Sequence, residues 1–288
     1  MHKKRVIIYF IIVIFLFVFN FYLRPVEGNK LVDKSYKSNS AYINDLYYSN
    51  ELFKSELSYD GKKLYEAIVD ASINDKTEVR IECNEDCSRS FNDSYDAVYL
   101  DHPELISFVG LDYCDYEDDI LVCKNYSNIG KLKTKLATLR IEREIDSIKR
   151  DTKNMNDKEK IIYVYNYVAS HDYNRLFMYA KSNQSAYSFF TGGKSVCAGF
   201  AKASQIILQN VGINSLTAID ADHMWNYVEY NKKWYIFDAT VGASYHNKKH
   251  KNYYEGLGRT TEGFDNHFFA DLYPKIEEEQ LIDIFDLR

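Results

Sequence analysis

The chain has 288 residues, of which 46% are apolar and 27% charged. Those values exclude a largely disordered chain, and 3 prolines with 12 glycines exclude collagen-like and linker-rich ones. The formal charge is −6, and setting aside the five basic residues and one acid up to Lys30 takes the remainder to −10. A domain this acidic is a poor match for the phosphate backbone, which needs clustered Lys and Arg, and no Gly-rich phosphate loop is present, so no nucleic-acid partner is expected.

The first 29 residues form the first expected unit, a cytoplasmic tip and a membrane anchor. Lys3, Lys4 and Arg5 precede an apolar run from Val6 to Leu23, broken only by Asn20. As a helix that run spans about 27 Å, near the roughly 30 Å of a bilayer's hydrocarbon core. The basic tip stays in the cytoplasm, so the rest is expected outside it. A cleaved signal peptide is the competing reading, and Val26-Glu27-Gly28 is its weak cleavage site. Both readings place the bulk of the chain outside the cytoplasm, single-pass with an anchor and secreted without one; a buried helix of a cytoplasmic chain is the third reading.

Residues 30–130 form the expected front region and 131–288 the rear domain. Residues 30–56 read as a polar stalk or a loosely packed helix. A clearer helix runs from Gly61 to Ser72, with Leu64, Ala67, Ile68 and Ala71 on one face. Thr77 to Ile81 reads as a strand, 93–109 as a helix or turn, and Asp115 to Asp119 as an acidic loop. Lys131 to Arg150 and Lys158 to Ala169 are amphipathic helices, the charges of the first forming a solvated face. Four cysteines fall in this front region, Cys83, Cys87, Cys114 and Cys123. Two disulfides in an oxidising space, free thiols, or a zinc site would each use them; neither pair has the two-residue spacing of a zinc knuckle.

The rear domain carries the chemistry. After Gly192-Gly193, Cys197 opens a helix with Phe200, Ala203, Ile206, Ile207 and Val211 at helical spacing, closed by Gly212. Unpaired N–H groups and the positive dipole end favour a thiolate there. Ala198 and Gly199 beside it are small, which leaves room for a substrate backbone. Ser215 to Ile219 is a strand, His223 to Tyr230 another, Asn231-Lys232 a tight turn and Lys233 to Ala239 the return. Counting back from the turn sets Trp225 opposite Asp238. His223, Trp225 and Asp238 then share one face, with His223 and Asp238 about 7–8 Å apart at Cα. If that hairpin backs onto the Cys197 helix, a thiol, an imidazole and a carboxylate meet. Singly, each has an ordinary structural reading: a buried small residue, a core histidine, a capping aspartate. His246 and His250 read as solvated loop rather than metal ligands.

The stretch GKSVCAGFAKASQIILQNVGI resembles the nucleophile helix of the transglutaminase-like superfamily of papain-type thiol enzymes. DHMWNYVEYNKKWYIFDAT resembles its His-Trp strand and the following Asp-x-Thr strand. AYSFF at 186–190, DNHFFADL at 265–272 and LDHPELISF at 100–108 are similar to further segments of bacterial members. Where those commonly have Trp-Asp after Asp-x-Thr, this chain has Val241-Gly242, which changes the wall beside the acid.

The resemblance implies an α+β fold of the bacterial membrane-anchored type: a papain-like core with the nucleophile helix packed on an antiparallel sheet, after a mainly helical front region and the transmembrane helix. It implies Cys197 as nucleophile, His223 as general base and acid, and Asp238 as orienting acid. Gln184 and Tyr187 are candidates for the second oxyanion donor, and Trp225 for the substrate wall. No cofactor or metal is expected, and there is no dedicated calcium loop. The implied activity is thiol acyl transfer on protein or peptide carboxamides at the cell surface or wall. A cysteine peptidase or amidase on the same triad and a non-catalytic surface-binding module are the alternatives.

Overall fold

The computed structural model describes residues 52–73, 78–82, 87–106, 111–117, 120–125, 131–176, 180, 183–192, 194–220, 222–245, 248–259 and 270–288. The expected anchor, the stalk to residue 51, Cys83, His246 and residues 265–269 lie outside them. Among the described residues no helix is long and apolar enough to cross a membrane.

At the front, α1 (Leu52–Ser55) leads into α2 (Tyr59–Ile73). The Ser58 hydroxyl accepts the N–H of Gly61 at 3.0 Å and so caps α2. Leu64, Tyr65, Ile68, Val69 and Ala71 form its buried stripe. β1 (Glu78–Glu82), α3 (Cys87–Asp101), β2 (Leu111–Glu117) and β3 (Ile120–Asn125) follow, and β3 lies between antiparallel β1 and β2.

One expectation is corrected here: residues 115–117 are strand, not acidic loop. Asp115 pairs with Val122 and points to solvent, which one face of an antiparallel sheet allows. Its neighbour Cys114 stands opposite Cys123 and is disulfide-bonded to it. The side chain of Cys87, like Cys83, is not among the parts described.

The rear begins with α4 (Lys131–Thr152) and α5 (Asp157–Ala169). Thr134, Ala137, Ile141, Ile145 and Ile148 give α4 a buried stripe at helical spacing. A capping box between Asn156 and Glu159 starts α5. β4 (Asp172–Tyr173) pairs in parallel with β5 (Lys194–Ser195), and α6 (Ala186–Gly192) lies between them in sequence. α7 (Cys197–Asn210) starts directly after β5. It ends in a Schellman arrangement: Gly212 takes φ +87°, its N–H reaches the Gln209 carbonyl, and the Ile213 N–H reaches Leu208.

The second sheet has the order β6 (Ser215–Ile219), β7 (Met224–Tyr230), β8 (Lys233–Phe237), all antiparallel. Asn231 and Lys232 have φ of 52° and 62°, the left-handed pair a two-residue hairpin turn requires. The register runs from Tyr230 opposite Lys233 to Asn226 opposite Phe237. It stops one pair short of the expected Trp225–Asp238, because the Asp238 N–H turns to the Gly256 carbonyl at 3.0 Å and α8 (Ala239–Tyr245) begins. Two 3-10 turns, Glu255–Leu257 and Ala270–Leu272, and α9 (Leu281–Ile284) complete the chain. Residues 270–272, the end of the DNHFFADL segment that resembles the trailing His-x-Phe strand of bacterial members, form a helical turn instead.

Helix α7 is buried on two sides. Phe200, Ala203, Ile206 and Ile207 pack with Ile161, Val164 and Val168 of α5 and with Val228 and Phe237 of the sheet. Ala198 and Ala201 pack instead with Leu64, Ile68, Val98 and Leu121 of the front and with Met224. The Asn226 side chain ties sheet to helix, donating to the Ala201 carbonyl at 2.9 Å.

A buried polar chain runs through the same contact. Asp101 accepts the backbone N–H groups of Phe53 and Lys54 and the Tyr65 hydroxyl at 3.1 Å. Tyr65 meets His102 Nε2 at 2.8 Å, and His102 Nδ1 meets Glu104 Oε1 at 2.8 Å. Burial pushes the Asp101 carboxyl up to about 6, against the charge of His102 and these hydrogen bonds. Within electrostatic reach of Glu104 is Lys202 of α7, 2% exposed, with Nζ 3.1 Å from the centroid of the Tyr99 ring. Burial pulls its pKa well down, opposed by the charge of Glu104.

Candidate active site

Cys197 is the first residue of α7, a half-buried free thiol. His223 lies just before β7, and Asp238 just after β8. His223 Nε2 is 2.9 Å from Asp238 Oδ2, and the Cys197 thiol is hydrogen-bonded to His223. The three residues singled out in the sequence therefore meet.

They do not meet on the expected face. Met224, Asn226 and Val228 are the β7 residues that face the helices. Trp225 packs on the other side with Ala218, Tyr227 and Ile236. His223 precedes the strand, so it is released from the strand's alternation and reaches Cys197 from the sheet's end. Trp225 is buried and stacks on His223 at 6.0 Å between ring centroids, so it backs the imidazole rather than facing a substrate.

The charges favour an ion pair. Burial opposes ionisation of the Cys197 thiol, but the hydrogen bond and charge of His223, the Met224 N–H and the Tyr173 hydroxyl outweigh it and hold its pKa below the ordinary value. Burial also disfavours the imidazolium, yet Asp238 and Cys197 raise His223 to about 10. For Asp238, burial is overcome by His223, Thr240 and Arg259, which keep it ionised. Thr240 gives Asp238 Oδ1 both its N–H, at 3.1 Å, and its hydroxyl.

Tyr187 packs against the rear core, and the Gln184 carbonyl accepts the Tyr99 hydroxyl at 2.7 Å. The hydroxyl beside Cys197 belongs to Tyr173, which accepts the Cys197 N–H at 3.4 Å and is hydrogen-bonded to the thiol. Burial and the nearby Cys197 push its phenol up to about 12, so it stays protonated as a donor. Sequence reasoning missed Tyr173 because only the β4–β5 pair, Tyr173 opposite Ser195, brings it to the helix start. Gly199, expected to make room for substrate, is packed against the protein itself: an added Cβ would lie 1.9 Å from Ser195 Oγ and 2.9 Å from the Ser185 carbonyl. Arg259, also missed, has Nε 3.6 Å from Asp238 Oδ2.

No His, Cys, Asp and Glu cluster able to hold a metal occurs among the described residues. His250 is exposed and stacks on Tyr245.

A thiol at a helix start, bonded to an imidazole that is bonded in turn to a buried carboxylate, defines a Cys–His–Asp thiol site on an α+β fold. Residues 146–239 match the family model described as transglutaminase-like superfamily, and they include Cys197, His223 and Asp238. The chain thus carries a transglutaminase-like domain. A solved structure described as the crystal structure of a TGase is similar at a TM-score of 0.32 and 15% identity, over 65% of this chain and 56% of that one. The chain thus spans little more than half of that protein. No curated protein matches it.

Proposed function

We propose that this protein is a thiol acyltransferase acting on protein or peptide carboxamides. The observation that carries the proposal is the continuous line of hydrogen bonds from Cys197 through His223 to Asp238. The Cys197 thiolate attacks the carboxamide carbon, the S–C bond forms, and the carbonyl π pair moves onto oxygen. As the C=O bond re-forms, the C–N bond breaks and His223 gives its proton to the departing nitrogen. Ammonia leaves and a thioester remains. An amine acceptor then attacks, His223 takes its proton, the amide C–N bond forms and the C–S bond breaks. Asp238 keeps the imidazole oriented and its charge balanced.

The Cys197 N–H supplies one oxyanion donor and Tyr173 the second. In the resting state the phenol oxygen holds that N–H; when substrate oxygen arrives, both groups donate to it. Tyr173→Phe should then lower kcat/KM about 100-fold, the usual cost of one oxyanion donor. Steady-state kinetics beside an unchanged unfolding midpoint check this.

Hydrolysis is the second reading. The His223 side chain is 29% exposed, so water can reach the thioester through the same base. The substrates fit cell-surface or wall proteins and peptides, if the apolar segment 6–23 anchors the chain as proposed. We propose the same three units as in the sequence: anchor to residue 29, front region to 130, catalytic domain beyond.

The deciding experiment mixes full-length protein in mild detergent with glutamine peptides and a primary-amine probe, read by mass spectrometry. The expected product is the peptide joined to the amine with loss of ammonia, absent for Cys197→Ala. Deamidated or cleaved peptide instead supports the hydrolase reading. A folded protein that yields none of these is a binding module, and the proposal falls.

A further inference from the structure

We propose that Arg259 is a positioning residue that sets the pH window of the triad by lending its charge to Asp238. The inference rests on the thiol-enzyme reading above. The two Asp238 oxygens are treated differently. Oδ1 is taken by the N–H and hydroxyl of Thr240. Oδ2 is shared by two cations, His223 at 2.9 Å and Arg259 at 3.6 Å.

The backbone fixes this second cation. The Asp238 N–H donates to the Gly256 carbonyl at 3.0 Å, and a Cβ on residue 256 would lie 1.9 Å from the Asp238 carbonyl oxygen. Only a glycine lets the 255–259 segment run against Asp238 so closely. Leu257, buried, anchors the segment, and the Gly258 N–H closes it on the Glu255 carbonyl. Arg259 is the next residue. Its side chain is 43% exposed while Asp238 is buried, so the pair adds little to stability. What it changes is the local charge.

With Arg259 the reactive state holds thiolate, imidazolium, carboxylate and guanidinium, a balanced set. Without it, one negative charge is uncompensated beside the imidazolium. The other titratable groups facing the site do not replace it. Tyr173 of β4 and Tyr165 of α5, both within electrostatic reach of Asp238, stay neutral as phenols. On the segment itself, Glu255 faces Arg288. Asp220 and Asp222 belong to the turn of His223; both are acidic. Removing the guanidinium therefore strengthens the hold on the imidazole proton. It weakens, to a smaller degree, the support for thiolate at Cys197, which lies beyond His223.

The test is the iodoacetamide labelling rate of Cys197 against pH, measured residue by residue in full-length wild type, Arg259→Gln and Arg259→Lys. In Arg259→Gln both inflections should move to higher pH, the alkaline one by about half a unit or more, as expected for losing a unit charge at this range. Arg259→Lys should restore the wild-type profile. If wild-type Cys197 is an activated thiol and Arg259→Gln gives the same inflections, the inference is overturned and the thiol-enzyme reading stands. Arg259→Lys behaving like Arg259→Gln also overturns it, because charge would then not be the agent. If wild-type Cys197 labels no faster than an ordinary thiol, the reading beneath it fails instead.

Discussion

Replacing His223 with alanine slows iodoacetamide labelling of Cys197 at pH 6 by on the order of 100-fold. In the wild type the thiol is held below its usual pKa and His223 is protonated up to about pH 10. Thiolate is thus favoured at a lower pH than for an ordinary thiol, and the wild-type rate should rise earlier with pH than that of an unperturbed cysteine. The largest support for ionisation, after burial has opposed it, is the imidazole. Without it the Met224 N–H, the Tyr173 hydroxyl and the helix start remain, so the thiol retreats towards its ordinary pKa and the rate climbs with pH. Asp238→Asn should fall between the two, since the imidazole stays but its counter-charge goes. Peptide-resolved mass spectrometry separates Cys197 from the other cysteines. Equal rates at pH 6 for wild type and His223→Ala would sink the ion pair.

Glu104→Ala is the change expected to cost most stability. Lys202 is buried in α7 and Glu104 is the carboxylate whose charge offsets that burial. Deleting Glu104 removes that offsetting carboxylate and leaves the Lys202 amine buried without it, at about 3–5 kcal/mol, the usual cost of breaking a buried charge pair from one side. It also frees His102 Nδ1 from its 2.8 Å contact. Glu104→Ala combined with Lys202→Met removes both charges and should regain a large part of the loss, because a methionine fills similar space without a cation. Urea midpoints for the two single variants and the double variant measure the coupling. If the double variant is as destabilised as the sum of the singles, Glu104 and Lys202 are energetically independent.

Much of this site was legible in the sequence because its determinants are local. The left-handed turn at Asn231-Lys232 fixes the hairpin register, and from it the approach of His223 to Asp238 follows by counting. Gly212 closes α7, which dates its other end to Cys197. The residues missed are brought in by long-range contacts. Tyr173 arrives through a two-residue parallel pair with β5. Arg259 arrives through a backbone contact at Gly256, which leaves no periodic trace. Lys202 reads in sequence as an ordinary surface lysine, and only the packing of the front against α7 buries it. The acidic run at 115–117 misled for a related reason: exposure on one face of a strand looks, in composition, like a loop. The error over the face of β7 came from extending strand alternation one residue past the strand's start.

The contact of Ala198 and Ala201 with the front helices has an evolutionary consequence. The residues just after the thiol pack against a part of the chain that lies before the matched domain. The front therefore cannot be exchanged as an independent cassette without re-fitting the helix that carries Cys197. Divergence in the front should be slowest where Leu64, Ile68 and Val98 touch that helix, and free to run where its strands face water.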